Sequence, residues 1–309
     1  MTSSIAWMNG KLVPYALAGL PLWDLGVVAG ASVSDLTRTF AHKPFRVPQH
    51  LNRLLDSLRK LGFPTPFDHA QLRQATESVL AHNLDLISTD RDLGIVLFST
   101  AGANSTYLGA ASASASQPTT IVHTFELPFE IWRPQLRDGV RLRIPSVRQV
   151  PGECFDVTHK VRNRLHWWLA DQEAARLEPG SKALLLDQAG FLTETSTAAL
   201  HLVCNDRILT PDSGVLNSLS RQVVEELATA AGIVVEHRPV LPGEIRFASE
   251  AFLSSSAAGL LPVSHIQGEP IGQIVPGPVF SQLTRAWSDL VGMDIVKQIL
   301  RTTPDTGKD

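Results

Sequence analysis

The chain has 309 residues, 27 basic and 30 acidic side chains, a net charge of −3 and 44% hydrophobic residues. Near-balanced charge gives no electrostatic footprint for nucleic acid or a lipid surface, and no apolar run is long enough to cross a bilayer. Two cysteines, Cys154 and Cys204, are too few for a disulfide framework, and the first ten residues lack the basic and apolar regions of a secretion signal. The expectation is a cytoplasmic protein large enough for two domains.

In chain order, Asn9-Gly10 between strand-like residues marks a β-hairpin, and Pro14 to Leu25 reads as loop. Val27 to Phe40 reads as a strand, or a short helix leading into one. Pro48 to Leu61 predicts a helix whose stripe is Leu51, Leu54, Leu55, Leu58 and Leu61, with Gly62 as its stop. A second helix is expected over His69 to Leu84. Strands are expected over Leu93 to Thr100 and Thr119 to Phe125, separated by a small-residue stretch, 102–118, that reads as a flexible loop.

Glu126 to Leu136, with Pro128 and Pro134, reads as an interdomain link, and Val140 to Ile144 as a strand. Thr158 to Leu177 predicts an amphipathic helix facing inward through Leu165, Trp168, Leu169 and Leu177, with Lys160 at its upstream mouth. Two hairpins follow, turning at Asp187–Gly190 and at Asn205-Asp206. A helix is expected over Ser220 to Ala231, with Val223, Val224, Leu227 and Ala231 inward and Gly232 as its stop. Strands at Ile233–Glu236 and Ala251–Ser254 and one helix from Val279 to Leu300 complete the pattern. The tail 302–309 reads as disordered. Strands mixed with helices in both halves argue for an α/β fold of mixed α+β character. Its domains would span 1–125 and 138–301, joined by a linker at 126–137.

No G-x-S-x-G nucleophile elbow, P-loop or dinucleotide fingerprint occurs, and the ten histidines show no metal-ligand spacing, so no metal is expected. Several stretches suit anions. V-L-N-S-L-S-R opens a helix, where backbone N–H groups converge and Ser218 and Ser220 add hydroxyls; plain N-capping is the alternative. Ser254-Ser255-Ser256-Ala257-Ala258-Gly259 ends a strand and would let an anion approach the backbone, or form a structural turn. Arg53 and Glu194, read alone, are surface charges. Lys160 is either a solvated cation or an amine whose basicity falls beside apolar neighbours, as a Schiff-base lysine needs.

Six stretches in this order and spacing carry a resemblance: H-L-N-R-L (50–54), K-V-R-N-R-L (160–165), 184–200, L-T-P (209–211), V-L-N-S-L-S-R (215–221) and F-L-S-S-S-A-A-G-L-L-P-V (252–263). Together they resemble the class IV pyridoxal-phosphate aminotransferases of fold type IV. That group contains branched-chain and D-amino-acid aminotransferases and aminodeoxychorismate lyase. The resemblance implies a two-domain, D-amino-acid-aminotransferase-like fold, pyridoxal 5'-phosphate as cofactor in the crevice between domains, and a homodimer. Lys160 would form the Schiff base and carry the proton, and Glu194 would face the pyridine nitrogen. Arg53, Leu219, Ser220 and Ser256 would bind the phosphate. Leu216 would pack on the ring, and Ala257 and Ala258 would meet a substrate carboxylate.

Where many relatives read Y-G-D-G-x-F-E, this chain has A-G-A-S-V-S-D at 29–35, so Ala29 and Ser34 replace aromatic residues and Asp35 a glutamate. Leu165 stands where branched-chain enzymes carry a tyrosine. Arg164, one helical turn from Lys160, could contact cofactor or substrate, and Arg38 could replace a missing carboxylate arginine. The implied reaction is transamination between an amino acid or amine and a 2-keto acid. The alternatives are a lyase of the aminodeoxychorismate type that releases pyruvate, and a pyridoxal-phosphate-binding protein with impaired catalysis.

Overall fold

A computed structural model describes residues 3–108 and 117–301. Residues 109–116 of the expected flexible loop at 102–118, and the tail 302–309, lie outside the described residues. The chain forms two compact units, one of Met1–Leu127 with His159–Asn163, the other of Pro128–Thr158 with Arg164–Asp309.

The first unit is built on a six-stranded sheet of order β2-β1-β6-β5-β3-β4. Its strands are β1 (Ile5–Met8), β2 (Lys11–Pro14), β3 (Ser32–Phe40), β4 (Lys43–Pro44), β5 (Leu93–Thr100) and β6 (Thr120–Glu126). The first hairpin turns where the sequence places it: Asn9 and Gly10 both take positive φ, 47° and 91°, which a tight two-residue turn requires. The Val27–Phe40 stretch holds both of its expected forms. A single helical turn, α1 (Leu25–Val28), is capped by Asp24 and leads into β3. Helices α2 (Val47–Lys60) and α3 (His69–Asn83) cover one face.

The α2 stripe behaves as its periodicity predicts: Leu51, Leu54 and Leu58 are buried, while Leu55 and Leu61 pack at the margin. Each fully buried leucine contributes about 1.5–3 kcal/mol. An Asp68–Gln71 capping box starts α3, the two residues exchanging backbone-to-side-chain bonds of 2.8 and 2.9 Å. A short turn, α4 (Ser105–Leu108), follows β5.

The second unit contains a nine-stranded sheet of order β12-β11-β10-β13-β14-β7-β8-β9, with β15 on β14. In sequence these are β7 (Val140–Arg143), β8 (Lys182–Leu186), β9 (Leu192–Thr195), β10 (Ala199–Cys204), β11 (Arg207–Thr210), β12 (Val234–His237), β13 (Glu250–Ser255), β14 (Gly259–Ile266) and β15 (Glu269–Pro270). Hairpins β8–β9 and β10–β11 turn at the expected residues, and parallel pairs β7–β8, β7–β14 and β11–β12 make the sheet mixed.

One stretch gains a helix, and two expectations about helices need correction. The stretch read as a link contains α5 (Phe129–Asp138), which buries Phe129 and Leu136 although Pro134 lies inside it. The helix expected over 158–177 is α6 (Leu165–Leu177), and it faces the other way. Trp167, Ala170 and Ala174 are buried, while Leu165, Trp168, Leu169 and Leu177 are 43–64% exposed. Both stripes satisfy helical spacing. The alanine stripe wins because its small side chains admit close approach to Ala183 and Leu185 of β8. The last helix is two, α8 (Pro278–Val291) and α9 (Ile295–Arg301), because Gly292 adopts left-handed φ of 70° and ends the first. Helix α7 (Leu219–Ala230) lies where the sequence predicts and is N-capped by Ser218.

Candidate active site

In the first unit, Lys160 sits in an extended segment, and Arg164 is therefore not one helical turn from it. Residues 160–162 run along β3 on the edge that β5 leaves open. Ser34 N–H donates to the Lys160 carbonyl at 3.0 Å, Arg162 N–H donates to the Ser32 carbonyl at 2.8 Å, and Val161 bridges Val33. His159, buried, lies 3.4 Å from Ser57 of α2. Gly30 has φ of 64°, and a side chain there would meet Asn163 at 3.5 Å, so the 29–30 turn closes against the same segment. Ala29 itself is exposed.

Beside this segment lies a buried charge cluster. Asp35 on β3 is 0% exposed. It accepts Arg53 Nε and Nη2, each at 2.8 Å, and His50 Nδ1 at 2.6 Å. His50 and Arg53 are three residues apart on α2 and so share its inner face. Burial pushes the Asp35 carboxyl up, but Arg53 and His50 outweigh it and hold the group well below the usual carboxylate range. Burial lowers the His50 pKa against the pull of Asp35, and Arg53 and Lys160 add to the lowering. Arg53 is thus a largely buried member of an ion cluster and not the solvated surface residue that its helical position alone predicts. The H-x-x-R spacing was the available signal for His50, which sequence reasoning passed over.

Arg38 is buried in the first unit. It is 0% exposed on the opposite face of β3, 3.5 Å from Asp92. Its Nε donates to the Thr39 carbonyl at 2.8 Å, and its guanidinium lies 4.1 Å from the Phe40 ring centroid. Burial lowers its pKa to about 10, with Asp92 opposing. Arg38 is a core residue.

In the second unit, Glu194 on β9 is 9% exposed and accepts Leu216 N–H at 2.9 Å. A carboxylate and the residue expected on the ring face are therefore joined directly. Leu219 and Ser220 form the first turn of α7, where backbone N–H groups have no helical partner. Ser218 Oγ accepts from Arg221 N–H at 3.3 Å and lies 2.9 Å from Ser220 Oγ. The β13–β14 turn carries Ser256, Ala257 and Ala258, with Ala258 N–H donating to Ser255 Oγ at 3.1 Å. Arg164 donates to the Ser196 carbonyl and lies 5.9 Å from the Trp167 ring centroid. A helix start furnished with hydroxyls suits a phosphate dianion, and a buried carboxylate suits a protonated ring nitrogen. The donor set fits pyridoxal 5'-phosphate. Among the described residues no cluster of His, Cys, Asp and Glu could hold a metal ion.

Comparison with known proteins agrees with this chemistry. The chain is 28% identical to a putative branched-chain-amino-acid aminotransferase of Methanocaldococcus jannaschii over 92% of this chain and 95% of that protein. It is 28% identical to the branched-chain-amino-acid aminotransferase-like protein 2 of Arabidopsis thaliana over 93% of this chain, and spans about half (50%) of that relative's length. Among solved structures, the T.th. branched-chain amino acid aminotransferase with pyridoxamine 5'-phosphate shares 27% identity, with a TM-score of 0.82 over 94% of this chain and 95% of that one. The Escherichia coli branched-chain amino acid aminotransferase, at 23% identity over 99% of this chain and 98% of that one with a TM-score of 0.85, shows likeness of fold. The profile of amino-transferase class IV matches residues 32–266, so the chain belongs to that family of pyridoxal 5'-phosphate-dependent aminotransferases.

Proposed function

We propose that the protein transfers an amino group between an amino acid, or a simple amine, and a 2-keto acid. The cofactor, when bound, supplies an electron sink that lowers the cost of removing a proton from the substrate Cα. Lys160 supplies the amine that anchors the cofactor aldehyde and then moves the proton. Glu194 stabilises a protonated ring nitrogen. Leu216 packs on the ring, and Leu219, Ser220, Ser256 and Arg53 hold the phosphate. Ala257 and Ala258 offer N–H groups to a substrate carboxylate. The observation that carries this reading is the direct bond from Leu216 N–H to the Glu194 carboxylate, since those two residues have their roles on one ring.

Likeness to branched-chain aminotransferases favours an apolar amino donor, whereas Ala29 and Ser34 differ from the aromatic residues many relatives carry there. A half-reaction screen of the purified protein against D- and L-amino acids and chiral amines decides the donor. Conversion by none of them would remove the transaminase reading. The V-R-N-R run after Lys160 keeps a pyruvate-releasing lyase as the second reading. Sustained turnover without a keto-acid acceptor would favour it.

A homodimer is part of this proposal. Leu17, Leu22 and Trp23 are 73%, 79% and 45% exposed, apolar surface of the kind that a second subunit covers. Light scattering on a sizing column tests it, a monomer at micromolar concentration being the adverse result. A cytoplasmic setting fits the free thiols of Cys154 and Cys204. Among the described residues no helix is long and apolar enough to cross a membrane.

A further inference from the structure

Four buried polar side chains of the second unit form a continuous line to the start of α7. His201 Nε2 lies 2.9 Å from Ser254 Oγ, Ser254 Oγ lies 3.3 Å from Ser220 Oγ, and Ser220 Oγ lies 2.9 Å from Ser218 Oγ. His201 and Ser254 are 0% exposed, Ser220 3% and Ser218 7%. The strands dictate the contact. In the β10–β13 register His201 stands opposite Phe252 and Ala199 opposite Ser254, so His201 and Ser254 are diagonal neighbours on one face. The imidazole stacks on Phe252 with centroids 4.9 Å apart and an interplanar angle of 19°.

The ring's other nitrogen decides the polarity of the line. Among the described residues His201 Nδ1 is buried with no hydrogen-bond partner. An orphaned buried N–H is costlier and rarer than an unused buried acceptor lone pair. The proton therefore resides on Nε2, and His201 donates to Ser254. A hydroxyl has one proton to give, so Ser254 passes its own to Ser220. Ser220 is left with its proton to donate onward, either to Ser218 or to an anion at the helix start. Ser218 already accepts from Arg221 N–H. Burial, together with the charges of Arg221 and His237, pushes the His201 pKa down to about 3, so the ring stays a neutral donor at working pH.

We propose that His201 is a positioning residue for the cofactor phosphate, orienting the Ser254 and Ser220 hydroxyls so that Ser220 presents its proton to the anion. This rests on the phosphate lying at the start of α7, as proposed above. No bond is made or broken, and the effect is one of hydrogen-bond direction.

The test compares equilibrium binding of pyridoxal 5'-phosphate and of pyridoxal, which lacks the phosphate, to the apo forms of the full chain. His201→Phe keeps the stacking on Phe252 and removes Nε2. It should raise Kd for pyridoxal 5'-phosphate about tenfold, the loss of one hydrogen bond to a charged group, and leave Kd for pyridoxal unchanged. His201→Gln, which restores an N–H at similar reach, should recover most of the loss. Equal weakening of both ligands, or no weakening of either, would overturn the proposal. Ser220→Ala separates the two levels. If it changes the ratio of the two constants while His201→Phe does not, only the role of His201 fails. If Ser220→Ala leaves the ratio untouched, the phosphate is elsewhere and both readings fall. Nitrogen-15 spectra of the wild-type protein give a check that needs no variant: a proton on Nε2 is expected, and a proton on Nδ1 would reverse the line and sink the idea.

Discussion

Asp35 and Arg53 are joined by two parallel bonds of 2.8 Å between guanidinium and carboxylate, in a site where Asp35 has no exposure to solvent. Such a fork fixes the arginine's plane as well as its charge. Because the folded state depresses the Asp35 pKa, its contribution to stability is present above the unfolded value of about 3.9 and is lost as pH falls toward the folded value. Asp35→Asn should therefore destabilise the fold at neutral pH, and its deficit relative to wild type should shrink below about pH 4. Thermal melts from pH 7 to pH 3 check this. A deficit that grows with acidity would contradict the sign. Arg53→Ala leaves the Asp35 carboxylate only His50 of its two charged partners, so it should lower stability by about 3 kcal/mol, the low end for a broken buried pair, and also weaken cofactor retention. Unchanged retention would confine Arg53 to the ion cluster.

Lys160→Ala should abolish turnover and leave the fold intact. Its segment is held to β3 through backbone groups of Ser32, Ser34, Lys160 and Arg162, which the substitution does not touch. Circular dichroism and a steady-state assay without added amines report on the two halves of this expectation. Undiminished turnover would take Lys160 out of the reaction.

Glu194→Gln keeps an oxygen that can accept Leu216 N–H while removing the negative charge. The loss should fall on kcat, by about 10²–10³ as for other lost electrostatic partners of a developing charge. The melting temperature should move little. If KM for the amino donor changes and kcat does not, the carboxylate belongs to substrate binding instead.

Arg38 and Asp92 form a buried pair, and removing Arg38 takes its countercharge from a carboxylate that Thr39 Oγ1 and the Ala41 and His42 N–H groups still hold. Arg38→Ala should cost about 3–5 kcal/mol in denaturant unfolding, without changing the preference among amino donors in a half-reaction screen. A changed preference at unaltered stability would restore Arg38 to the substrate pocket.

Local chemistry wrote much of this molecule directly into its sequence. The Asn9-Gly10 turn, the leucine stripe of α2, the two hairpins after α6 and the Ser218 cap of α7 each depend on residues within a few positions of one another, so short-range spacing suffices to read them. The order of short motifs likewise identified the family from the sequence alone, because that order is legible whatever lies between the motifs. The tertiary structure alone decided which of two stripes on α6 turned inward, since Trp167, Ala170 and Ala174 and the leucine stripe fit helical periodicity equally well and only the distance to β8 separates them. It alone placed Arg38 in the core and Arg53 in an ion cluster, because Asp92 and Asp35 lie 54 and 18 residues from their partners. The His201–Ser254 contact spans 53 residues and exists only through the register of β10 on β13. Burial and long-range pairing set the charge state and direction of a polar group, and neither is a property of the residues beside it in the chain.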